Sequence, residues 1–365
     1  MTTATTITPL PGVAATEAVD PRLVVVKRVP FNAETPLAQQ TGLITPIPLF
    51  YVRSNFAVPR LDAAHWRLSV EGEVARPHHL SFAELRALPT RSLLVTLECA
   101  GNDRSTLSPP TEGEPWQYGA VGTAEWTGVP LAAVLEAAGL ADRTREILVE
   151  GADRGTVATR PGTIPFARSL PLDKALHPDT LLAYAMNGEL LTAQHGFPVR
   201  LIVPGWYGMA SVKWVTCVAA VAERFDGFFQ TERYILSRPG QEEASTPVSV
   251  MRVRSLILSP LADAALPVGR HRVRGLAWSG AALVQRVEIS ADDGASWEPA
   301  EFASRAERYA WRRWEYTWEA MTLGLITLRS RAFDGRGHTQ PSEPEWNRLG
   351  YTNNAIQVVA VQVIE

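Results

Sequence analysis

The residues best suited to ligand or redox chemistry sit in the stretch Val95 to Ser105, V-T-L-E-C-A-G-N-D-R-S. Val95 and Leu97 alternate with Thr96 and Glu98, as on a half-buried strand. The pattern stops at Cys99-Ala100-Gly101-Asn102, where small residues and a turn former let the backbone bend or approach a ligand closely. A thiol thus stands where a strand runs into a loop, with the cation Arg104 following. A thiolate is a soft ligand and a good nucleophile, and nearby positive charge favours its ionised form. A small buried cysteine at a strand end fits the same residues equally well.

Three further segments carry polar residues outside the apolar pattern: Arg53, the run His195-Gly196-Phe197-Pro198-Val199-Arg200, and the run Pro204 to Trp214 with Ser211-Val212-Lys213. Taken singly, His195 reads as a satisfied histidine at a strand entry, Arg200 as a surface ion-pair residue and Lys213 as a solvated strand residue. Cys217, the only other cysteine, reads as core on a Val212 to Val221 strand. Two cysteines give neither a disulfide framework nor a tetrahedral zinc set, and the seven histidines show no ligand spacing.

The elements that must position these residues follow from pattern. Residues 1–40, rich in Thr, Pro and Ala, read as a loosely held arm. Trp66 to Val74 alternates as a strand, and Ser81-Phe82-Ala83-Glu84 is a capping box opening a short helix that ends near Pro89. Trp126 to Pro130 is expected to start a second helix, with Leu131, Val134, Leu135 and Ala138 on one face and Gly139 as its stop. Ile147 to Glu150, Leu181 to Met186, Val199 to Val203 and Val212 to Val221 read as strands, with a hairpin turn at Asn187-Gly188. Short helices mixed with strands predict an α+β domain over 41–240. Ser237 to Pro247, with Pro239-Gly240, reads as a linker.

Beyond the linker, strands recur with turns between them: Val273 to Trp278, Val284 to Ser290, Trp311 to Trp318, Ile326 to Phe333 and Ala355 to Ile364. This predicts an all-β, immunoglobulin-like sandwich over 241–365. Trp311, Trp314 and Trp318 are expected in its core or at a dimer face. At 365 residues, two domains are the ordinary expectation. A net charge of -3 gives no basic footprint for nucleic acid. No apolar run is long enough to span a bilayer, and no export signal is evident, so a cytoplasmic setting is expected. No Gly-x-Gly-x-x-Gly or Walker motif supports a nucleotide-binding fold.

C-A-G-N-x-R, H-G-F-P-V-R and G-x-x-S-V-K-W, in this order, make the chain resemble the sulfite oxidase family of molybdopterin enzymes. Further matches are the run from Trp116 to Leu131, L-L-A-Y-x-M-N-G from Leu181, A-W-S-G from Ala277, and V-E-I-S-x-D-D-G-x-S-W ending at Trp297. The resemblance runs from about Pro46 to the C-terminus. It implies a molybdenum–molybdopterin cofactor with Cys99 as the metal's thiolate ligand. Tyr51, Arg53, Ser54, Asn55, Asp153, His195, Arg200, Ser211, Val212 and Lys213 would hold the pterin and its phosphate. Arg53, Arg104, Trp116 and Tyr234 would form the oxyanion pocket. The activity implied is oxidation of sulfite to sulfate, with electrons leaving to a separate acceptor such as a cytochrome, because no haem segment precedes residue 40. The C-terminal domain would make a homodimer. A reductase of sulfoxides or another oxo-compound is the second reading, and a metal-free binding module the third.

Three positions depart from the family's pattern. Asn55 stands where a histidine is usual. Leu349 stands where the second domain usually contributes an arginine, with Arg348 displaced by one position and so facing the other way on an extended chain. Asp103 replaces an arginine before Arg104.

Overall fold

A computed structural model describes residues 19–237 and 245–365. Strands dominate it, and the three α-helices, Phe82–Ala87, Leu131–Ala138 and Leu172–Ala175, are short. The mixed α+β expectation is thereby corrected towards a mostly-strand fold with few helices.

Two five-stranded sheets build the N-terminal half. In the first, Glu189–Leu190, Leu181–Met186, Val121–Pro130 and Arg91–Glu98 lie side by side, with Arg200–Ile202 also on Leu181–Met186. The second runs His78–Ser81, Arg67–Gly72, Val215–Val221, Glu146–Val157, Arg160–Pro171. Its Val215–Val221 strand pairs parallel to Arg67–Gly72 and antiparallel to Glu146–Val157. The capping box at Ser81 forms with both of its bonds: Ser81 Oγ accepts from the Glu84 amide, and Ser81 N donates to the Glu84 carboxylate. Asn187 and Gly188 both adopt positive φ and turn the Leu181 hairpin, as the Asn-Gly pair requires.

Several expectations change. Trp126 to Pro130 does not start a helix: it continues the strand Val121–Pro130, paired with residues of Leu181–Met186, and the helix opens at Leu131. Ile147 to Glu150 is the first part of a twelve-residue strand, Glu146–Val157, hairpinned onto Arg160–Pro171. Trp214 takes φ 54°, so the strand expected from Val212 begins at Val215. Cys217 is half-buried rather than core. In the arm, Val24–Lys27 pairs with Asn32–Glu34, and Asn32 to Thr35 are buried, so residues 19–40 are not loosely held. Its first eighteen residues, and residues 238–244 of the expected linker, lie outside the described residues.

In the C-terminal half, a four-stranded sheet (Arg254–Ser259, Gly269–Trp278, Arg312–Ala320, Glu301–Phe302) faces a five-stranded one (Ala265–Pro267, Val358–Ile364, Gly324–Asp334, Val284–Ser290, Glu298–Pro299). Val273, Val287, Trp314, Trp318, Leu328 and Val361 fill the space between them. Trp311 packs instead into the large core of the N-terminal half.

The two halves meet behind Cys99. Both faces of Arg91–Glu98 are buried over Val95 to Glu98, against the half-buried expectation. The reason is that the C-terminal half covers the polar face: Thr96 N donates to Tyr309 O at 2.9 Å, and Trp311 N donates to Thr96 Oγ1 at 2.8 Å.

Candidate active site

Strand ends and the loops after them converge on one cavity, with about 630 Å³ of space not filled by atoms. Arg91–Glu98 delivers Cys99, Glu146–Val157 carries Asp153, and Arg200–Ile202 delivers Arg200. Lys213 precedes Val215–Val221, and Tyr234 follows a five-residue π-helical turn, Phe229–Arg233. Tyr51, Arg53, Ser54, Asn55, Cys99, Asp153, His195, Arg200, Ser211, Lys213 and Tyr234 all line the cavity, brought together from six separate stretches of chain. Met209 and Trp214, inside the Pro204 to Trp214 run, line it too, as do Phe166 and Gln194, which belong to none of the motifs.

Two parts of the cavity differ in chemistry. Around Cys99, Arg53 donates from Nη2 to Asn55 Oδ1 at 2.7 Å, and Asn55 Nδ2 reaches Tyr234 Oη at 3.1 Å. Arg53 also meets Glu114 at 3.4 Å. Burial opposes the Arg53 charge, but Tyr234, Glu114 and Cys99 outweigh it and hold its pKa above the usual arginine value. Burial pushes the Cys99 thiol up, while Arg53 and Arg104 pull the other way. A thiol so placed becomes a thiolate when a cation binds it and pays the cost of desolvation.

At the other end the groups are cationic and short of partners. Arg200 donates to His195 O at 3.1 Å and Ser211 O at 3.2 Å, and its guanidinium lies 4.8 Å from the Trp126 ring centroid. Its Nε has no partner, and burial pulls its pKa down to about 10. Lys213 Nζ donates to Gln194 O at 2.7 Å and Ser54 Oγ at 3.1 Å. Burial drives Lys213 well down and Asp153 up to about 6, each the other's compensating charge, while Asp153 Oδ1 finds no partner. His195 is pulled down to about 3 by burial, then by Lys213 and Arg200, so it is neutral. Its Nε2 lies 3.3 Å from Ile47 O and must carry the proton there, which leaves Nδ1 as an acceptor. Gly151 is a glycine because a Cβ would lie 2.5 Å from Asp153 Oδ1 and 2.6 Å from Lys213 O.

Arg104, Trp116 and Val212 do not line the cavity. Arg104 is buried, donating from Nη1 to Glu114 O at 2.7 Å and from Nε to Leu349 O at 3.1 Å, with Tyr351 stacked 5.0 Å away. Trp116 is fully buried in the cluster that contains Cys99, its Nε1 unpartnered. Val212 packs into the core.

The three departures have structural counterparts. Asn55 bridges Arg53 and Tyr234. Leu349 is buried and Arg348 exposed, but the two sit in a turn closed by Gly350 N donating to Asn347 O at 2.9 Å and not on the extended chain expected. Asp103 takes φ 65° and pairs with Arg254 of the C-terminal half at 2.6 Å; Arg254 also meets Glu98 at 3.5 Å. An arginine before Arg104 would face that buried guanidinium, so the acid is the residue that fits.

The oxidoreductase molybdopterin binding domain model matches residues 55–229, and the Mo-co oxidoreductase dimerisation domain model matches 245–364. Sulfite oxidase of Gallus gallus is 36% identical over 92% of this chain and 77% of its own length. Mitochondrial sulfite oxidase of Drosophila melanogaster is 35% identical over 92% of the chain, which spans 62% of that protein. An NADH nitrate reductase of Petunia hybrida is 33% identical over 89% of the chain and 39% of its own length. Among solved structures, the sulfane dehydrogenase SoxCD of Paracoccus pantotrophus superposes with a TM-score of 0.82 at 29% identity, covering 92% of this chain and 85% of that one.

Fold and domain order together define a molybdopterin-dependent oxidoreductase with a dimerisation domain, whose cofactor is molybdenum–molybdopterin. The chain belongs to the sulfite oxidase family. Its dimerisation domain supports a homodimer. No helix among the described residues is long and apolar enough to cross a membrane.

Proposed function

We propose that the chain oxidises sulfite to sulfate and passes the electrons to a separate acceptor such as a cytochrome. The observation that carries this reading is the Arg53–Asn55–Tyr234 hydrogen-bonded set opening on Cys99 within one cavity. A thiol, a guanidinium and a phenol hydroxyl around one space suit a soft metal ligand beside an oxyanion.

The buried side chains fit the cofactor. Among the described residues Arg200 Nε and Asp153 Oδ1 are buried without partners and Arg200 meets no carboxylate, which leaves a donor and an acceptor that an anionic phosphate and a polar heterocycle would complete. In this reading Cys99 holds the metal, and Tyr51, Ser54, Asp153, His195, Arg200, Ser211 and Lys213 hold the pterin and its phosphate. Val212 would contribute through its backbone only. When bound, the cofactor supplies a centre that accepts an electron pair as sulfur gains an oxygen derived from water.

Arg53 would bind sulfite oxygens, kept in place by Asn55 and Glu114. The Tyr234 hydroxyl donates to the same anion, and Arg104, held by two carbonyls, adds positive charge near Cys99 and braces the loop. Trp116 closes the apolar side and excludes water. The balance is sulfite plus water giving sulfate, two protons and two electrons.

A reductive reaction on an oxo-compound is the second reading. It is favoured by the apolar Leu349 at the expected arginine position and by the likeness to a nitrate reductase. The C-terminal half is read as an immunoglobulin-like sandwich from residue 241, following a molybdopterin domain over 41–240; its two sheets around one core support this. Two free cysteines suit the cytoplasm as the proposed location.

The test is sulfite-dependent reduction of ferricyanide or cytochrome c by purified, metal-loaded protein. Turnover with sulfite is expected. No turnover with sulfite, together with reoxidation of a reduced dye by nitrate or a sulfoxide, overturns the reading in favour of the second.

A further inference from the structure

Arg168 stands on the strand Arg160–Pro171, two positions from the cavity residue Phe166 and therefore on the same face. It is 1% exposed, and among the described residues no carboxylate pairs with it. One terminal nitrogen donates to Phe229 O, the other to Val248 O at 3.2 Å, and Nε has no partner. Its guanidinium carbon lies 5.9 Å from the centroid of the Tyr234 ring.

Each of these contacts leads to Tyr234. Phe229 opens the π-helical turn that ends at Tyr234, and Val248 N donates to Tyr234 O at 2.9 Å. The Tyr234 ring is packed between Phe166 at 6.3 Å, Phe229 at 6.2 Å and Tyr351 at 5.3 Å. The guanidinium thus ties together the segments before and after the tyrosine. Burying a charge is costly unless an opposite charge accompanies it. Arg254, equally buried, has Glu98 and Asp103, whereas among the described residues Arg168 has only carbonyl oxygens and ring faces. An apolar side chain could fill such a place at lower cost, so the charge itself calls for a use.

We propose that Arg168 is a positioning residue for Tyr234 and that its un-neutralised charge makes the pocket select a doubly charged oxyanion. This rests on the oxyanion reading of the pocket given above. Burial pulls Arg168 down only to about 10, which leaves it protonated at neutral pH. Tyr234 and Tyr351 are the titratable groups that face it.

The test uses purified holoenzyme and sulfate as an inert probe, measured by calorimetry, with sulfite kinetics alongside. Arg168→Gln keeps a donor but no charge; Arg168→Lys keeps a charge but not the two-carbonyl clamp. The Gln variant is expected to weaken sulfate binding and raise KM about tenfold, with molybdenum content unchanged. In the Lys variant, kcat falls because Tyr234 is less well held. Its sulfate affinity is also expected to fall as pH rises through the neutral range, because a buried lysine loses its proton far below the ordinary value; the wild type shows no matching fall. Equal sulfate affinity in the wild type and the Gln variant overturns the proposal. Should the Gln protein not fold, a Lys profile parallel to the wild type overturns it. A wild-type holoenzyme that binds neither sulfate nor sulfite defeats the oxyanion reading and this inference with it, whereas a wild type that binds and a Gln variant that binds equally defeat this inference alone.

Discussion

Behind Cys99, the buried charges around Arg254 form a group of opposite signs. Arg254 lies between Glu98 and Asp103, Trp278 Nε1 donates to Glu98 Oε2 at 2.9 Å, and Asn353 Nδ2 donates to Asp103 Oδ2 at 3.0 Å. At Arg200, on the same sheet as the Cys99 strand, and at Arg168, on the other five-stranded sheet, buried guanidinium groups meet carbonyl oxygens and aromatic faces, and among the described residues each leaves Nε unpartnered. The first arrangement is complete within the protein and fixes a shape, joining the C-terminal half to the loop of Cys99. The second is left short of negative charge, as a surface that receives anions must be. Burial alone therefore does not separate Arg254 from Arg200 and Arg168; a carboxylate partner, present for the first and absent among the described residues for the other two, does.

Breaking the complete group should cost most. Arg254→Met leaves Glu98 and Asp103 buried without their cation and should destabilise the protein by roughly 3 to 5 kcal/mol in denaturant unfolding. Arg200→Met removes a charge that no carboxylate needs. It should cost less stability than Arg254→Met but release cofactor, read as molybdenum per chain after dialysis. Equal losses of stability in the two variants would erase the distinction between the paired and the unpaired arginines.

A pH titration sharpens the same contrast. Burial raises Glu34, beside Asp103 and hydrogen-bonded by the amides of Gln117 and Gly119, to about 7. The folded state thus holds a proton that the unfolded chain releases near 4.5. The sign follows: this group's effect is absent below the unfolded value, and stability falls as pH rises from there to about 7, by roughly 3 kcal/mol at most. Glu34→Gln should flatten that part of the stability–pH curve, and an unchanged slope would contradict the cause. Smallest of all, Arg348→Ala should leave sulfite KM unchanged, since Arg348 is exposed and Leu349 faces inward. A marked rise in KM would place Arg348 in the pocket after all.

The sequence showed the site more fully than the fold. Cys99, His195, Arg200 and Lys213 stand in short motifs whose residue types make little sense on an apolar pattern, and all four reach one cavity. The long hairpin of Glu146–Val157 and Arg160–Pro171 escaped notice because Gly155, Arg160, Pro161 and Gly162 interrupt alternation, although the backbone pairing does not need it. Trp126 to Pro130 reads as a helix start because a proline precedes an apolar stripe; pairing with Leu181–Met186 instead extends the strand to Pro130. Glu114 and Arg168 carried no signal at all. One lies in a polar loop and the other on a strand, and only tertiary contacts bring them to Arg53 and Tyr234.

The central claim is that the Cys99 sulfur is bound to the molybdenum. X-ray absorption at the molybdenum edge, on wild type and on a folded, metal-loaded Cys99→Ser protein, tests it directly. The account predicts one fewer sulfur neighbour in the variant, together with loss of turnover. An identical sulfur count in the two proteins, or full activity in the variant, would contradict it.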